Sequence, residues 1–156
     1  MIISQKAQLA LSRIRKELSA LSDIKLDASG DGSTGTCIIY KAETLSANYR
    51  IIRYNSSTGE LEYLSSAACA TCACPSVGGN TLADSLDGST SISYYANDNS
   101  GTEITFPLST SYSASDIGAI KVTLGFRHIE SSLPKTFTIT VSPRNNKNLN
   151  APGFAS

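Results

Sequence analysis

Residues 3–21, ISQKAQLALSRIRKELSAL, decide the fold expected for this chain, because their apolar side chains recur with the spacing of a helix. At about 100° per residue, these side chains fall on one arc roughly 100° wide, and polar or charged residues fill the remainder. The stretch therefore predicts an amphipathic helix with one face buried against a sheet. The residues expected to make that packing are Ile3, Ala7, Leu11, Ile14, Leu18 and Leu21, with Ala10 on the same arc.

A second, thinner apolar line runs along the opposite side of this helix. It consists of Ile2, Leu9 and Ala20, with Lys16 between the last two. A helix that packs only on its own domain needs one apolar face, so the second line needs an explanation. The plain alternative is that single exposed apolar residues are normal on a protein surface and have no role.

The rest of the chain is typical of an antiparallel sheet. Residues 120–126 and 136–142 alternate between apolar and polar side chains, which indicates strands with one buried and one solvated face. Four further segments resemble strands: residues 37–41, 49–55, 61–64 and 91–96. Gly59 is expected to have a positive φ in a hairpin turn. Leu82 and Leu86 are four residues apart, which predicts a short helical turn. We predict an α+β fold, with one long N-terminal helix packed on an antiparallel sheet of about five to seven strands.

The length and charge of the chain limit its organisation and its partners. With 156 residues it is expected to form a single domain: a helix over 1–24, a sheet with a pinned loop over 25–146, and a flexible tail over 147–156. The 13 basic and 13 acidic residues give no net charge, which argues against a nucleic-acid partner. Charged residues make up 17% of the chain, and this low share is typical of exported β-rich proteins.

Four cysteines, Cys37, Cys69, Cys72 and Cys74, form the sharpest local motif. A metal site with four cysteine ligands would normally contain two CxxC motifs, and this chain has one. A redox-active CxxC motif would need a helix that begins at its first cysteine. Two structural disulfides are therefore favoured over a metal site and over a redox-active site. A Cys72–Cys74 bond is disfavoured by disulfide geometry. Two pairings remain open, Cys37–Cys74 with Cys69–Cys72, or Cys37–Cys72 with Cys69–Cys74, and each pins the long loop to the first strand.

No catalytic or cofactor-binding arrangement emerges from the remaining residues, so we expect no enzyme activity, no cofactor and no metal. His128, the one histidine, is interpreted as a turn residue, since no nucleophile motif accompanies it. Three tyrosines, Tyr94, Tyr95 and Tyr112, are expected to be exposed and could stack on a ligand, although tyrosines in strands mostly pack on cross-strand neighbours.

Two acidic clusters are alternatives for a calcium site. Asp27 with Asp31, or Asp84 and Asp87 with Asn80, could supply oxygen ligands. Neither cluster has a full ligand set, and Asp, Gly and Ser together usually form turns.

In its order of parts, the chain resembles the type IV pilin and pseudopilin family. The likeness is to the larger minor members, the J-type component of type II secretion systems and PilW-like minor pilins. It covers most of residues 7–146 in family order. The matching pieces are AQLALSRIRKELSAL, YRIIRYNSSTGELEYL, LADSLDGSTSISYY and DIGAIKVTLGFRHIESSLPKTFTITVSPRN.

The resemblance implies a pilin-like fold and a structural subunit of a type IV pilus or type II secretion pseudopilus, placed near its tip. The partners would be other pilin or pseudopilin subunits, contacted through Ile2, Leu9 and Ala20. The family's cleavage site and apolar half-helix of about 20 residues are not in this sequence. The chain is therefore expected to be the periplasmic or extracellular part of a protein anchored in the inner membrane. The alternative is a secreted binding module or adhesin that contacts a glycan or protein through its loops.

Overall fold

The amphipathic stretch forms a single α-helix, α1 (Ile3–Ser19), in the computed structural model, which describes residues 3–28, 32–42, 48–68, 80–127 and 135–143. Within these ranges, eight strands and one 3₁₀ turn (Ala114–Asp116) follow α1. The strands are β1 (Asp23–Ile24), β2 (Cys37–Lys41), β3 (Asn48–Asn55), β4 (Glu60–Ala68), β5 (Asn80–Ala83), β6 (Ser91–Ala96), β7 (Ile117–Phe126) and β8 (Lys135–Val141).

The strands form two antiparallel sheets rather than one. The first has five strands in the order β1-β2-β3-β4-β5, and the second has three in the order β6-β7-β8. Within each sheet, every strand pairs with the strand next to it in sequence. In the hairpin between β3 and β4, Gly59 has a φ of +73° and its amide donates to the Asn55 carbonyl at 2.8 Å, as the sequence predicted.

Backbone hydrogen bonds join the two sheets at two places. The Ile92 amide at the start of β6 donates to the Gly35 carbonyl before β2, at 2.7 Å. At the same end of the sheets, the Leu86 amide donates to the Gly59 carbonyl, and the Asp87 amide donates to the Gly125 carbonyl, both at 2.8 Å. The segment between β5 and β6 therefore connects the first hairpin to the end of β7.

The helix completes the core that the two sheets share. It lies against β5, β7 and β8, so it contacts strands of both sheets. Side chains of α1, of the five-stranded sheet and of the three-stranded sheet form one buried cluster, which includes Ile14, Leu18, Tyr40, Leu61 and Phe126. A second, smaller cluster of Cys37, Ile39 and Ile51 lies on the opposite face of the first sheet, so β2 is buried on both faces.

The predicted fold class is therefore wrong. We expected an α+β, pilin-like arrangement with a long N-terminal helix packed on one antiparallel sheet. In the part of the chain that the structure describes, antiparallel strand predominates, at 49%, and the single helix is a short N-terminal one of 17 residues. The physical reason is that period-two alternation reveals the buried face of a strand, but not the sheet to which that strand belongs.

One smaller expectation also differs from the structure. The segment holding Leu82 forms the edge strand β5 rather than a helical turn, and its backbone pairs with β4. Within the described ranges, α1 does not have the length and hydropathy of a membrane-spanning helix, and neither does any other helix.

Candidate functional site: the outer face of the N-terminal helix

The inner face of α1 is buried as its spacing requires. Among the six residues predicted to pack, Ala7, Leu11, Ile14 and Leu18 on the helix are all buried, and so is Leu21 just beyond it. The side chain of the sixth, Ile3, lies outside the described residues. This burial fixes the rotation of the helix about its own axis, and hence the side that faces solvent.

The outer face of α1 presents a large apolar side chain to solvent. Leu9 is 61% exposed, and among the described residues only Phe106 joins it as an exposed large hydrophobic side chain. Ala20, immediately after the helix, is also exposed, whereas Ile2 lies outside the described residues. Of the three predicted contact residues, the structure therefore places two on the surface and does not describe the third.

A shallow groove of about 190 Å³ separates Leu9 from the edge strand β5. Residues 81–84 form its far wall, and Lys6 lines it on the helix side. The Lys6 ammonium contacts Asp84 Oδ1 at 3.1 Å, with both side chains substantially exposed. An exposed pair of this kind contributes at most about 1 kcal/mol, so it orients side chains around the groove more than it stabilises the fold.

Glu17 connects the helix to the five-stranded sheet, although it was not among the residues predicted to be functional. Its Oε1 accepts hydrogen bonds from the Tyr40 hydroxyl at 2.8 Å, the Arg50 guanidinium at 2.8 Å and the Tyr63 hydroxyl at 3.2 Å. We call these four residues the Glu17 cluster. Arg13 lies one turn earlier on α1, and its guanidinium is 5.2 Å from the centre of the Tyr63 ring. The sequence contained one indication of this role: Glu17 lies at the border of the apolar arc of α1, where a side chain can reach the sheet.

The Glu17 cluster shifts the pKa values of its members in opposite directions. Burial alone would raise the pKa of Glu17. The hydrogen bonds from Tyr40 and Arg50, together with the positive charge of Arg50, outweigh the effect of burial, and the pKa of Glu17 is therefore lowered. Burial and the adjacent Glu17 carboxylate raise the pKa of the Tyr40 hydroxyl. Glu17 therefore stays ionised and Tyr40 stays a donor at neutral pH, which is the combination that the hydrogen bonds require.

We expect this cluster to make the stability depend on acid pH. The Glu17 pKa is lower in the folded chain than in the unfolded one, so its contribution is fully present above about pH 5 and disappears as the pH falls through the folded pKa. Chemical unfolding of the wild type and of Glu17→Gln, at pH 7 and at pH 3, measures this contribution. The difference in free energy of unfolding between the two proteins should be smaller at pH 3. An equal difference at both pH values would contradict the assignment.

Only part of the cysteine prediction lies within the described residues. Cys37, at the start of β2, is 2% exposed and disulfide-bonded. Cys69, Cys72 and Cys74 lie outside the described residues, so both pairings stay open. The disulfide begins on the face of the first sheet that faces away from the helix.

The other candidate residues are not brought together. His128 and Asp31 lie outside the described residues. Asp84 pairs with Lys6, while Asp87 accepts a hydrogen bond from the Ser89 amide at 2.9 Å, as in an ordinary turn. In the part of the chain that the structure describes, no three His, Cys, Asp or Glu residues are grouped as a metal site would require. Of the three tyrosines, Tyr94 is fully buried, contrary to expectation, while Tyr95 and Tyr112 are half-buried.

Comparisons of the chain with protein-family models, with curated proteins and with solved structures found no match.

Proposed function

We propose that this protein is a structural subunit of a pilus or pseudopilus, which assembles with other pilin-type subunits through the outer face of α1. The observation that carries the proposal is Leu9, 61% exposed on a helix whose opposite face is buried in the core. Exposing a leucine forgoes about 1.5–3 kcal/mol of burial. A neighbouring helix in a filament would recover part of that free energy.

The attachment of α1 to the sheets suits this role. The Glu17 cluster binds the helix to the five-stranded sheet, and the Lys6–Asp84 pair connects it to the loop after β5. A contact helix that is already held in place loses little conformational freedom when a partner binds. The fold expected from the pilin resemblance is wrong, so the proposal rests on this helix face and on the matching sequence segments.

The proposal includes the location and partners of the subunit. It would lie on the periplasmic or extracellular side, anchored in the inner membrane by a segment N-terminal to the present sequence. The disulfide at Cys37 supports an oxidising compartment, because such bonds rarely persist in the cytosol. The subunit would act by assembly alone, with no turnover, no cofactor and no nucleic acid.

Site-specific photo-cross-linking in the source organism tests the contact. With p-benzoylphenylalanine in place of Leu9, we expect irradiation to give adducts with subunits that carry a prepilin-type N-terminal sequence. The same group in place of Thr138, which is exposed on the three-stranded sheet, is the matched control and should give no such adduct. Equal cross-linking from both positions, or none from position 9, would count against the proposal.

The coding sequence upstream of Met1 separates this proposal from the alternative of a secreted binding module. A filament subunit requires an apolar segment of about 20 residues that continues into α1. A cleaved signal peptide with no such segment would instead identify a freely secreted protein.

A further inference from the structure

A cleft of about 400 Å³ opens beside β1, away from the outer face of α1. Three short segments line it: residues 27–28 after β1, residues 33–34 before β2, and residues 106–108 between β6 and the 3₁₀ turn. Its volume lies in the range of small-molecule sites. The proposed filament role does not account for it.

Buried contacts hold the walls of this cleft in place. Tyr94, 0% exposed, donates its hydroxyl to the Thr34 carbonyl at 2.8 Å, and its ring packs edge-on against Phe106 at 5.7 Å between centroids. One buried side chain therefore contacts two of the three walls. The third wall is fixed by the Ala28 amide, which donates to Ser111 Oγ at 3.0 Å. A site held in this way can bind without first ordering its loops.

The cleft combines an apolar wall with a polar one. Phe106, 38% exposed, forms the apolar wall with Pro107 and Leu108. The polar wall contains the Asp27 carboxylate, and its charge is balanced by Lys25 Nζ at 3.1 Å. An additional cation would compete with Lys25 for that carboxylate. A wholly apolar ligand would strip water from Asp27 without replacing its hydrogen bonds.

We propose that this cleft binds a neutral saccharide, one hexopyranose unit in size. Such a ring has an apolar C–H face, which suits an aromatic wall, because the negative face of the aromatic ring attracts polarised C–H groups. Its hydroxyl groups can donate to the Asp27 carboxylate and exchange hydrogen bonds with the Thr34 hydroxyl. The site is independent of the helix face, so it would serve a filament subunit or a secreted module alike.

Amide NMR spectra of the full-length chain, with its disulfides intact, test the proposal. Glucose, galactose, mannose and N-acetylglucosamine are titrated separately into the millimolar range, where a single-ring contact is expected to saturate. We expect at least one sugar to give saturable shifts that centre on residues 33–34 and 106–108. If none of the four gives saturable shifts there, the proposal is overturned.

Two variants assign the binding to the cleft. Asp27→Ala and Phe106→Ala should each weaken binding about tenfold or more, because each removes one wall of the site. Asp84→Ala is the matched control, because Asp84 also forms an ion pair with a lysine, Lys6, at 3.1 Å. This variant should bind the sugar as tightly as the wild type does. Asp27 is partly exposed, so Asp27→Ala should fold normally even if Phe106→Ala is destabilised by loss of the Tyr94 contact. Unchanged affinity in Asp27→Ala, or equal losses in Asp27→Ala and Asp84→Ala, would overturn the assignment.

Discussion

Glu17→Ala is expected to lower the free energy of unfolding by about 2–4 kcal/mol at pH 7. The substitution removes the single oxygen that accepts hydrogen bonds from Tyr40, Arg50 and Tyr63. The Tyr40 hydroxyl is the most costly loss, because that side chain is 0% exposed and its donor would be left without this acceptor in the core. Few surface carboxylates have so large an expected effect, since most surface substitutions change stability by less than about 0.5 kcal/mol.

Urea unfolding of the oxidised protein measures this effect, with two variants for comparison. Lys16→Ala removes the neighbouring charged side chain, which is exposed on α1, and should change the free energy of unfolding by less than about 0.5 kcal/mol. Glu17→Gln keeps an oxygen acceptor without the charge and should lie between wild type and Glu17→Ala. If Glu17→Ala were as stable as Lys16→Ala, the cluster would have no role in holding the helix.

Leu18→Ala is expected to lower the free energy of unfolding by about 2–5 kcal/mol. Leu18 is 0% exposed and belongs to the cluster shared by the helix and both sheets, so surrounding side chains from three directions would have to move to fill the space. The cost combines the lost burial of the leucine with the cavity that remains.

Leu9→Ala is the matched control for this substitution, because it makes the same chemical change on the same helix at a side chain that is 61% exposed. We expect its free energy of unfolding to stay within about 0.5 kcal/mol of the wild type. The same denaturation experiment measures both variants. Similar losses for Leu18→Ala and Leu9→Ala would contradict the orientation of α1, and with it the assignment of an outer face.

The secondary structure was largely predictable from the sequence, whereas the arrangement of the strands was not. The helix and the strands β2, β3, β4, β6, β7 and β8 lie where the sequence pattern indicated them, although β4 extends to Ala68 rather than ending at Leu64. Val122 shows why the sheets were missed. The alternation of apolar and polar residues around Val122 predicts that its side chain is buried, and it is. The same pattern does not reveal that Val122 pairs with Ile92 on one side and Ile139 on the other, because these residues come from other segments of the chain. The segmentation into two sheets depends on those partners.

The strand β5 was missed for a different reason. It has four residues and pairs on one side only, so it lacks the length over which alternation becomes visible. Leu82 and Leu86 are four residues apart, which also suits one turn of a helix. The segment forms a strand rather than a helical turn because its backbone pairs with β4. Contacts of this kind between distant residues override the preference that local spacing indicates.

The candidate site was predictable where it depended on helical spacing. Leu9 was identified as an outer residue because its direction follows from the residues that are buried. Glu17 was not identified, since the tyrosines and the arginine that bind it come from β2, β3 and β4. Tyr94 was expected to be exposed, but a buried tyrosine is stable where its hydroxyl reaches a partner, and the Thr34 carbonyl provides one.

The contact of α1 with strands of both sheets has a consequence for biosynthesis. The ribosome makes this helix before any of the described strands, yet β8, against which it lies, is the last of those strands to be made. Its apolar side chains therefore have no complete place to dock until the strand ending at Val141 has emerged. Contacts between α1 and β8 therefore join opposite ends of the described sequence, and such a large sequence separation slows the formation of the core.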